Sequence, residues 1–167
     1  RRQLGKGMVF RRQHTRTLVT LALVLIQASS LNHAYELVCQ PEGMVTSLAG
    51  SGVPGFRDGL KERAFLHQPT GVAVDTAGVV YVSDSGNNRI RRMSVDGIMT
   101  TIAGSGSAGF ADDTLSRAEF NNPQAIVLTP DGLLFVADCN NHRIRLIDMV
   151  QEQVLTYAGA GISDYRD

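Results

Sequence analysis

The sequence predicts an all-β fold built from repeated four-stranded antiparallel sheets. Three observations carry this. Ala49-Gly50-Ser51-Gly52 returns as Ala103-Gly104-Ser105-Gly106, Pro69 as Pro123, Asp84 as Asp138 and Arg89-Ile90-Arg91 as Arg143-Ile144-Arg145, all at a shift of 54, and a further copy opens at Ala158-Gly159-Ala160-Gly161. A fixed period of this size marks stacked supersecondary units. Within each unit, short β-branched or alternating runs are divided by Gly, Asp and Asn turns. The 17 glycines of the 167-residue chain suit a turn-rich β protein.

In the first unit, Gly71–Val74 is a short apolar strand, followed by the turn Asp75-Thr76-Ala77-Gly78. Gly78 supplies the positive φ such a turn needs. Val79–Asp84 is a longer strand, and Ser85-Gly86-Asn87-Asn88 turns the chain again. Arg89–Ser94 alternates charged and apolar residues, as a half-exposed strand does. After Val95-Asp96-Gly97, Met99–Ala103 is the fourth strand. The second unit repeats this as Ala125–Leu128, Leu133–Asp138, Arg143–Asp148 and Val154–Ala158, mostly with apolar residues replacing apolar ones.

A long connection, Gly50 to Pro69, precedes the first strand, and residues 104–123 are its counterpart. Asp58 is placed to cap a short helix within Leu60–Phe65. Phe56 and Phe110 are expected to plug the gap between neighbouring sheets. A four-stranded meander cannot cover both of its faces alone; radial stacking of such sheets covers them, which is the β-propeller solution.

Pro69-Thr70-Gly71-Val72-Ala73-Val74-Asp75, Tyr81-Val82-Ser83-Asp84 and Asn87-Asn88-Arg89-Ile90-Arg91 resemble the NHL repeat family of β-propellers. So do Pro123-Gln124-Ala125-Ile126-Val127, Phe135-Val136-Ala137-Asp138 and Asn141-His142-Arg143-Ile144-Arg145. Ala125 and Thr129 depart from the family's usual glycine and aspartate. The resemblance implies a partial propeller of NHL blades, with two full blades and the start of a third. The partition is residues 1–30 extension and signal, 31–44 linker, 45–98 and 99–153 blades, and 154–167 the start of another. Propellers close with four to eight blades. The expectation is therefore a piece of a longer protein or, less favoured, several copies assembling through open blade edges.

The amino terminus has the three-part layout of a secretory signal peptide. Met8 precedes basic Arg11, Arg12 and Arg16, an apolar run from Leu18 to Ile26, and small Ala28-Ser29-Ser30. The apolar run falls short of the roughly 20 residues a membrane span needs. Export of residues after Ser30, or after Ala34, is expected; a transit peptide or an uncleaved helix is the alternative. The formal charge of zero divides unevenly: six basic residues and no acid lie in residues 1–30, leaving ten basic against 16 acidic. An acidic remainder disfavours nucleic-acid backbone binding. Cys39 and Cys139 could pair in an exported protein or stay free; their spacing does not decide.

Several motifs invite sharper readings. Asp84 with Arg89, and Asp138 with Arg143, look like acid–base clamps flanking a turn. Their recurrence favours a structural role, since a scaffold residue is needed in every blade and a catalytic one once. Asn88 and His142 occupy matching turn positions and are read as repeat positions too. Gly50–Gly55 and Gly104–Gly109 satisfy G-x-G-x-x-G. A dinucleotide site, however, needs a helix and a parallel βαβ unit that this pattern lacks. His67 and His142 have no spaced partners for a metal and read as polar turn residues. Asp112-Asp113, with Asp58, suggest helix caps more than calcium ligands. Arg89–Arg92 lacks interleaved aromatics for nucleic acid and is expected on the solvated face of an outer strand.

No catalytic, cofactor or metal residue is assigned. The expected function is a protein- or polymer-binding scaffold. Its candidate face is formed by the long connections, with Phe56, Arg57, Asp58, Phe110, Asp112 and Asp113, because loops on a rigid scaffold carry recognition. The resemblance also leaves a metal-dependent propeller lyase or hydrolase, and an RNA-binding propeller, as alternatives.

Overall fold

A computed structural model describes residues 45–164, all within a unit spanning Asn32–Asp167. The signal segment Met8–Ser30 and Cys39 lie outside the described residues. Two five-stranded antiparallel sheets form the fold. Sheet 1 comprises β1 (Gly59–Leu60), β2 (Pro69–Val74), β3 (Val80–Asp84), β4 (Arg89–Met93) and β5 (Ile98–Ala103), in the order β1-β5-β4-β3-β2. Sheet 2 comprises β6 (Asp113–Thr114), β7 (Pro123–Leu128), β8 (Leu134–Asp138), β9 (Arg143–Asp148) and β10 (Gln153–Ala158), in the order β6-β10-β9-β8-β7.

The four expected strands of each unit are present, within two residues of their anticipated ends. Each sheet also gains an outer two-residue strand from the long connection, pairing Gly59 with Met99 and Val154 with Asp113. Hydrogen bonding cuts the chain differently from the repeat period. Residues 99–103 complete sheet 1 and residues 154–158 complete sheet 2, so the described part of 154–167 adds no third sheet.

Local chemistry fixes the turns. Asp75 Oδ1 accepts from the backbone N–H of Ala77 (2.9 Å) and Val79 (2.8 Å), closing the β2–β3 turn through Gly78. Thr129 does the same work in sheet 2, its Oγ1 accepting from Leu133 N–H at 3.0 Å. The β3–β4 and β8–β9 connections are single 3₁₀ turns, Ser85–Asn87 and Cys139–Asn141. Each is stopped by a left-handed residue, Asn88 at φ 50° and His142 at φ 52°. Asn is among the non-glycine residues enriched in this region.

One core fills the space between the sheets. Tyr81, Ile90 and Ala103 of sheet 1 pack with Phe120 of the second long connection and with Ile126, Leu134, Val136, Ile147 and Val154 of sheet 2. A second cluster, Ala64, Val80, Val82, Met93 and Met99, lies on the opposite face of sheet 1. The inner strands β2 and β7 run so close that a Cβ on Gly71 would overlap the carbonyl oxygen of Gln124. At the same junction Ser85 and Thr70 hydroxyls donate to the Pro123 carbonyl.

The connections depart from expectation. Lys61–Arg63 is a single 3₁₀ turn entered through Leu60, with no side-chain cap, so Asp58 caps nothing. Asp112-Asp113 precede no helix either, since Asp113 starts β6. Phe56 and Phe110 do not plug the inter-sheet gap: they are 46% and 43% exposed, and fully buried Phe120 fills it instead. The two rings instead lie against the guanidinium groups of Arg89 and Arg143.

Candidate functional site

Both long connections fold over the same end of their sheets, against the 3₁₀ turns. In sheet 1, Asp84 is fully buried at the end of β3 and gathers three donors. Oδ1 accepts from His67 N–H (2.7 Å), while Oδ2 accepts from Asn87 Nδ2 (2.8 Å) and Arg91 Nη1 (2.7 Å). Arg91, itself fully buried, also donates to the carbonyls of Phe65 (3.2 Å) and Arg57 (3.1 Å) and to Asp58 Oδ1 (2.6 Å). A planar guanidinium with donors on several edges can tie three chain segments at once.

Sheet 2 repeats the arrangement. Asp138 accepts from Asn121 N–H (2.8 Å), Asn141 Nδ2 (2.8 Å) and Arg145 Nη1 (2.8 Å). Arg145 reaches the carbonyls of Glu119 and Ala111 at 2.9 and 2.7 Å. It meets Asp112 Oδ1 through both Nε (3.2 Å) and Nη2 (2.7 Å). Arg91 uses only Nη2 on Asp58, and its Nε is buried without a partner.

The expected acid–base recurrence is thus structural, but the partner differs. Asp84 and Asp138 pair with Arg91 and Arg145, not with Arg89 and Arg143. The β3–β4 register sets Asp84 opposite Arg89 and Val82 opposite Arg91, so the ion pair runs diagonally across the ladder. This also overturns the solvated-face reading of Arg89–Arg92, since Arg91 is a core residue. A signal was present: Arg91 recurs as Arg145, whereas Arg92 becomes Leu146.

Arg89 and Arg143 serve the loops. Arg89 donates to the carbonyls of Ser105 (2.7 Å) and Asn87 (3.3 Å), and its guanidinium stands 3.9 Å from the Phe56 ring centroid. Arg143 lies 3.7 Å over Phe110. Arg91 and Arg145 stack beside them at 4.8 and 4.9 Å, so each half-exposed ring is backed by two guanidinium groups. The G-x-G-x-x-G loops exist for this packing. Gly106 takes φ 95°, and a Cβ there would overlap the Arg89 guanidinium. Gly161 stands in the same relation to Arg143.

The remaining expected residues separate. Arg57 crosses the Phe65 ring at 5.8 Å, and Asp113 accepts from Thr114 N–H at 2.6 Å. Asn88 bridges the sheets, its Oδ1 accepting from Asn122 N–H at 3.0 Å. His67 sits beside the 3₁₀ turn, with its carbonyl accepting from Gly86 N–H. Among the described residues no group of three His, Cys, Asp or Glu side chains is arranged to hold a metal. Cys139 is free, and burial, helped by the Asp138 charge, raises its pKa above the ordinary thiol value of 9.0. No described helix is long and apolar enough to cross a membrane. What this end of the molecule offers chemically is a surface of half-exposed aromatic rings, guanidinium groups tied to the loops, and the half-exposed Asp58 and Asp112 carboxylates.

Comparison with known proteins agrees with this geometry. The NHL repeat model matches residues 66–93 and 120–145. NHL repeat-containing protein 2 of Gallus gallus is 35% identical over 112 residues, covering 66% of this chain and 15% of that protein. Protein SUPPRESSOR OF QUENCHING 1, chloroplastic, of Arabidopsis thaliana is 38% identical over 96 residues, and Teneurin-3 of Danio rerio 33% over 117; each match covers 57% of this chain. The chain spans 9% and 4% of these two proteins. Among solved structures, an auxiliary nutrient binding protein from Bacteroides thetaiotaomicron superposes with a TM-score of 0.54 at 27% identity. That match covers 66% of this chain and 28% of the other.

Proposed function

This chain is a partial β-propeller of NHL repeats, and from that premise we propose that it serves as an exported binding platform for a protein partner. One observation carries the reading: Phe56 and Phe110 are held half-exposed on the same end of successive sheets, each stacked on two arginines. Amphipathic anchors of this type, fixed before binding, lose little entropy when a partner arrives. Arg91 and Arg145 are fully buried and paired with carboxylates, and Arg89 and Arg143 donate to loop carbonyls, so they shape the surface rather than neutralise phosphates. That favours protein over RNA. Export rests on the Met8–Ser30 layout.

Site-specific photo-crosslinking tests the platform. A photoreactive side chain at position 110 is expected to capture protein from the extracellular fraction of a culture that expresses this chain, and one at Val150, on a remote turn, is not. Equal capture from both positions, or recovery of RNA alone, overturns the reading. Amino-terminal sequencing of the secreted product is expected to begin after Ser30 or Ala34; a product retained inside the cell with Met8 intact overturns export. A stoichiometric, tightly held metal in the purified protein would instead point to the enzymatic alternative.

A further inference from the structure

At the ends of the strands opposite the 3₁₀ turns, the chain reverses through the hairpin turns β2–β3, β4–β5, β7–β8 and β9–β10. An open cavity of about 310 Å³ lies there between the two sheets, lined from the β2–β3 turn on one side and the β7–β8 turn on the other. Small-molecule sites begin at about this size. Val74, Leu128 and Pro130 form its apolar walls, and Asp75, Tyr81 and Thr129 supply polar groups.

Two of these polar groups exceed what the fold uses. Tyr81 is 5% exposed, and its hydroxyl has no partner among the described residues. A buried phenol ordinarily finds one. Packing does not require the hydroxyl, since Phe135 fills the same position one period later. Asp75 Oδ1 closes the β2–β3 turn, and Oδ2 has no partner among the described residues. That turn does not require a charge, since the Thr129 hydroxyl closes its counterpart. The surplus hydroxyl and the surplus charge line one cavity.

The charge of the site sets the ligand's sign. No basic residue lines the cavity. The neighbouring turns add Asp96, Asp131, Asp148 and Glu152 and no Lys or Arg. Arg92 stands opposite Tyr81 in the β3–β4 ladder, on the side of β3 away from β2, and does not line the cavity. Lys61 lies over Gly97 in the outer turn. A cleft with apolar walls and charge of one sign concentrates the opposite sign. We propose that this cavity binds an alkylammonium group, as carried by a small amine or by a lysine side chain. The ammonium donates to Asp75 Oδ2 and to the Tyr81 hydroxyl, and its methylene chain lies against Val74, Leu128 and Pro130. An anion would meet the Asp75 carboxylate with no cation lining the cavity to offset it.

Titration of the full chain with n-butylamine, followed by amide NMR, tests this. Saturable shifts are expected at Asp75, Tyr81 and Thr129, with a Kd of about 1 mM. The neutral isostere n-butanol is expected to bind about tenfold more weakly, because it forgoes a charge-assisted hydrogen bond. Asp75→Asn keeps an oxygen to close the turn, removes the charge and is expected to lower amine affinity about tenfold. Tyr81→Phe, which copies Phe135, is expected to lower it about threefold. Native-like amide spectra show that both variants fold. Nα-acetyl-lysine amide separates the two sources: tighter binding than butylamine assigns a lysine side chain, and weaker binding a free amine. No saturable shift at the three residues, equal binding of butanol, or wild-type affinity in either variant overturns the proposal. The cavity and the Phe56–Phe110 surface lie at opposite ends of the strands, so none of these outcomes bears on partner capture at position 110.

Discussion

Replacing Asp84 with alanine removes the acceptor for three donors at once. Arg91 stays fully buried and keeps only Asp58 as a counter-charge, a carboxylate 46% exposed. Breaking a buried ion pair from one side costs about 3–5 kcal/mol, because the other charge remains desolvated. The orphaned His67 N–H would cost about 1–3 kcal/mol taken alone. The two losses share a network and do not add, so about 3–5 kcal/mol is expected in all. Asp58→Ala removes a partner that water already screens, and an exposed pair is worth roughly 0.2–1 kcal/mol. The ratio is therefore at least about three. Urea unfolding reads it: at a slope of roughly 2 kcal/mol per M, Asp84→Ala lowers the midpoint by about 1.5–2.5 M and Asp58→Ala by about 0.5 M or less. If Asp84→Ala fails to fold, Asp84→Asn serves, because one end of the amide must then face a donor with a donor. Adding Arg91→Met to Asp84→Leu is expected to recover part of the loss by removing the stranded charge. The carbonyls of Phe65 and Arg57 lose the guanidinium donor and keep only their backbone partners, which leaves the recovery incomplete. Equal costs for the Asp84 and Asp58 variants, or a double variant less stable than Asp84→Ala, would refute the view that Asp84–Arg91 is the buried pivot of the sheet.

Three further outcomes follow from the geometry. Gly71→Ala is expected to cost about 1–3 kcal/mol in the same unfolding assay, since the obstacle is the Gln124 backbone and overpacking of this kind is relieved only by shifting the sheets apart. Phe120→Ala is expected to cost about 3–5 kcal/mol as a cavity in the inter-sheet core. Phe56→Ala, by contrast, chiefly loses a partly exposed cation–π contact of about 0.5–1 kcal/mol, so matching losses from the two would restore Phe56 as the plug. Cys139 is expected to react with iodoacetamide more slowly than free cysteine at pH 7.5, with a rate still climbing past pH 9.0. Its thiolate is disfavoured by burial and by Asp138, and a rate that levels off below pH 8.5 would contradict this.

Much of the sheet architecture was legible because it is local. A turn whose Asp75 or Thr129 closes onto the backbone two to four residues on, or a left-handed Asn88, is written in neighbouring residues. Alternation and period placed the strands to within two residues for the same reason. The candidate face was legible only in outline. The recurrence of Asp84 and Asp138 marked them as structural, yet sequence spacing assigned Arg89 as partner because it lies closer along the chain. The side-chain reach across the ladder chose Arg91. Phe56 and Phe120 are both aromatic residues of the long connections, and composition offers no way to say which one turns inward.

The sequence by itself determined the repeat, the antiparallel meanders and their turns, since dihedral preference and side-chain alternation act over a few residues. Only the tertiary structure decided that Asp58 and Asp112 meet buried arginines rather than cap helices. It also decided that the glycines at 106 and 161 make room for Arg89 and Arg143. These outcomes depend on groups 16 to 33 residues apart coming within hydrogen-bond range. Desolvation then makes the winning contact costly to break, and no local preference carries that information.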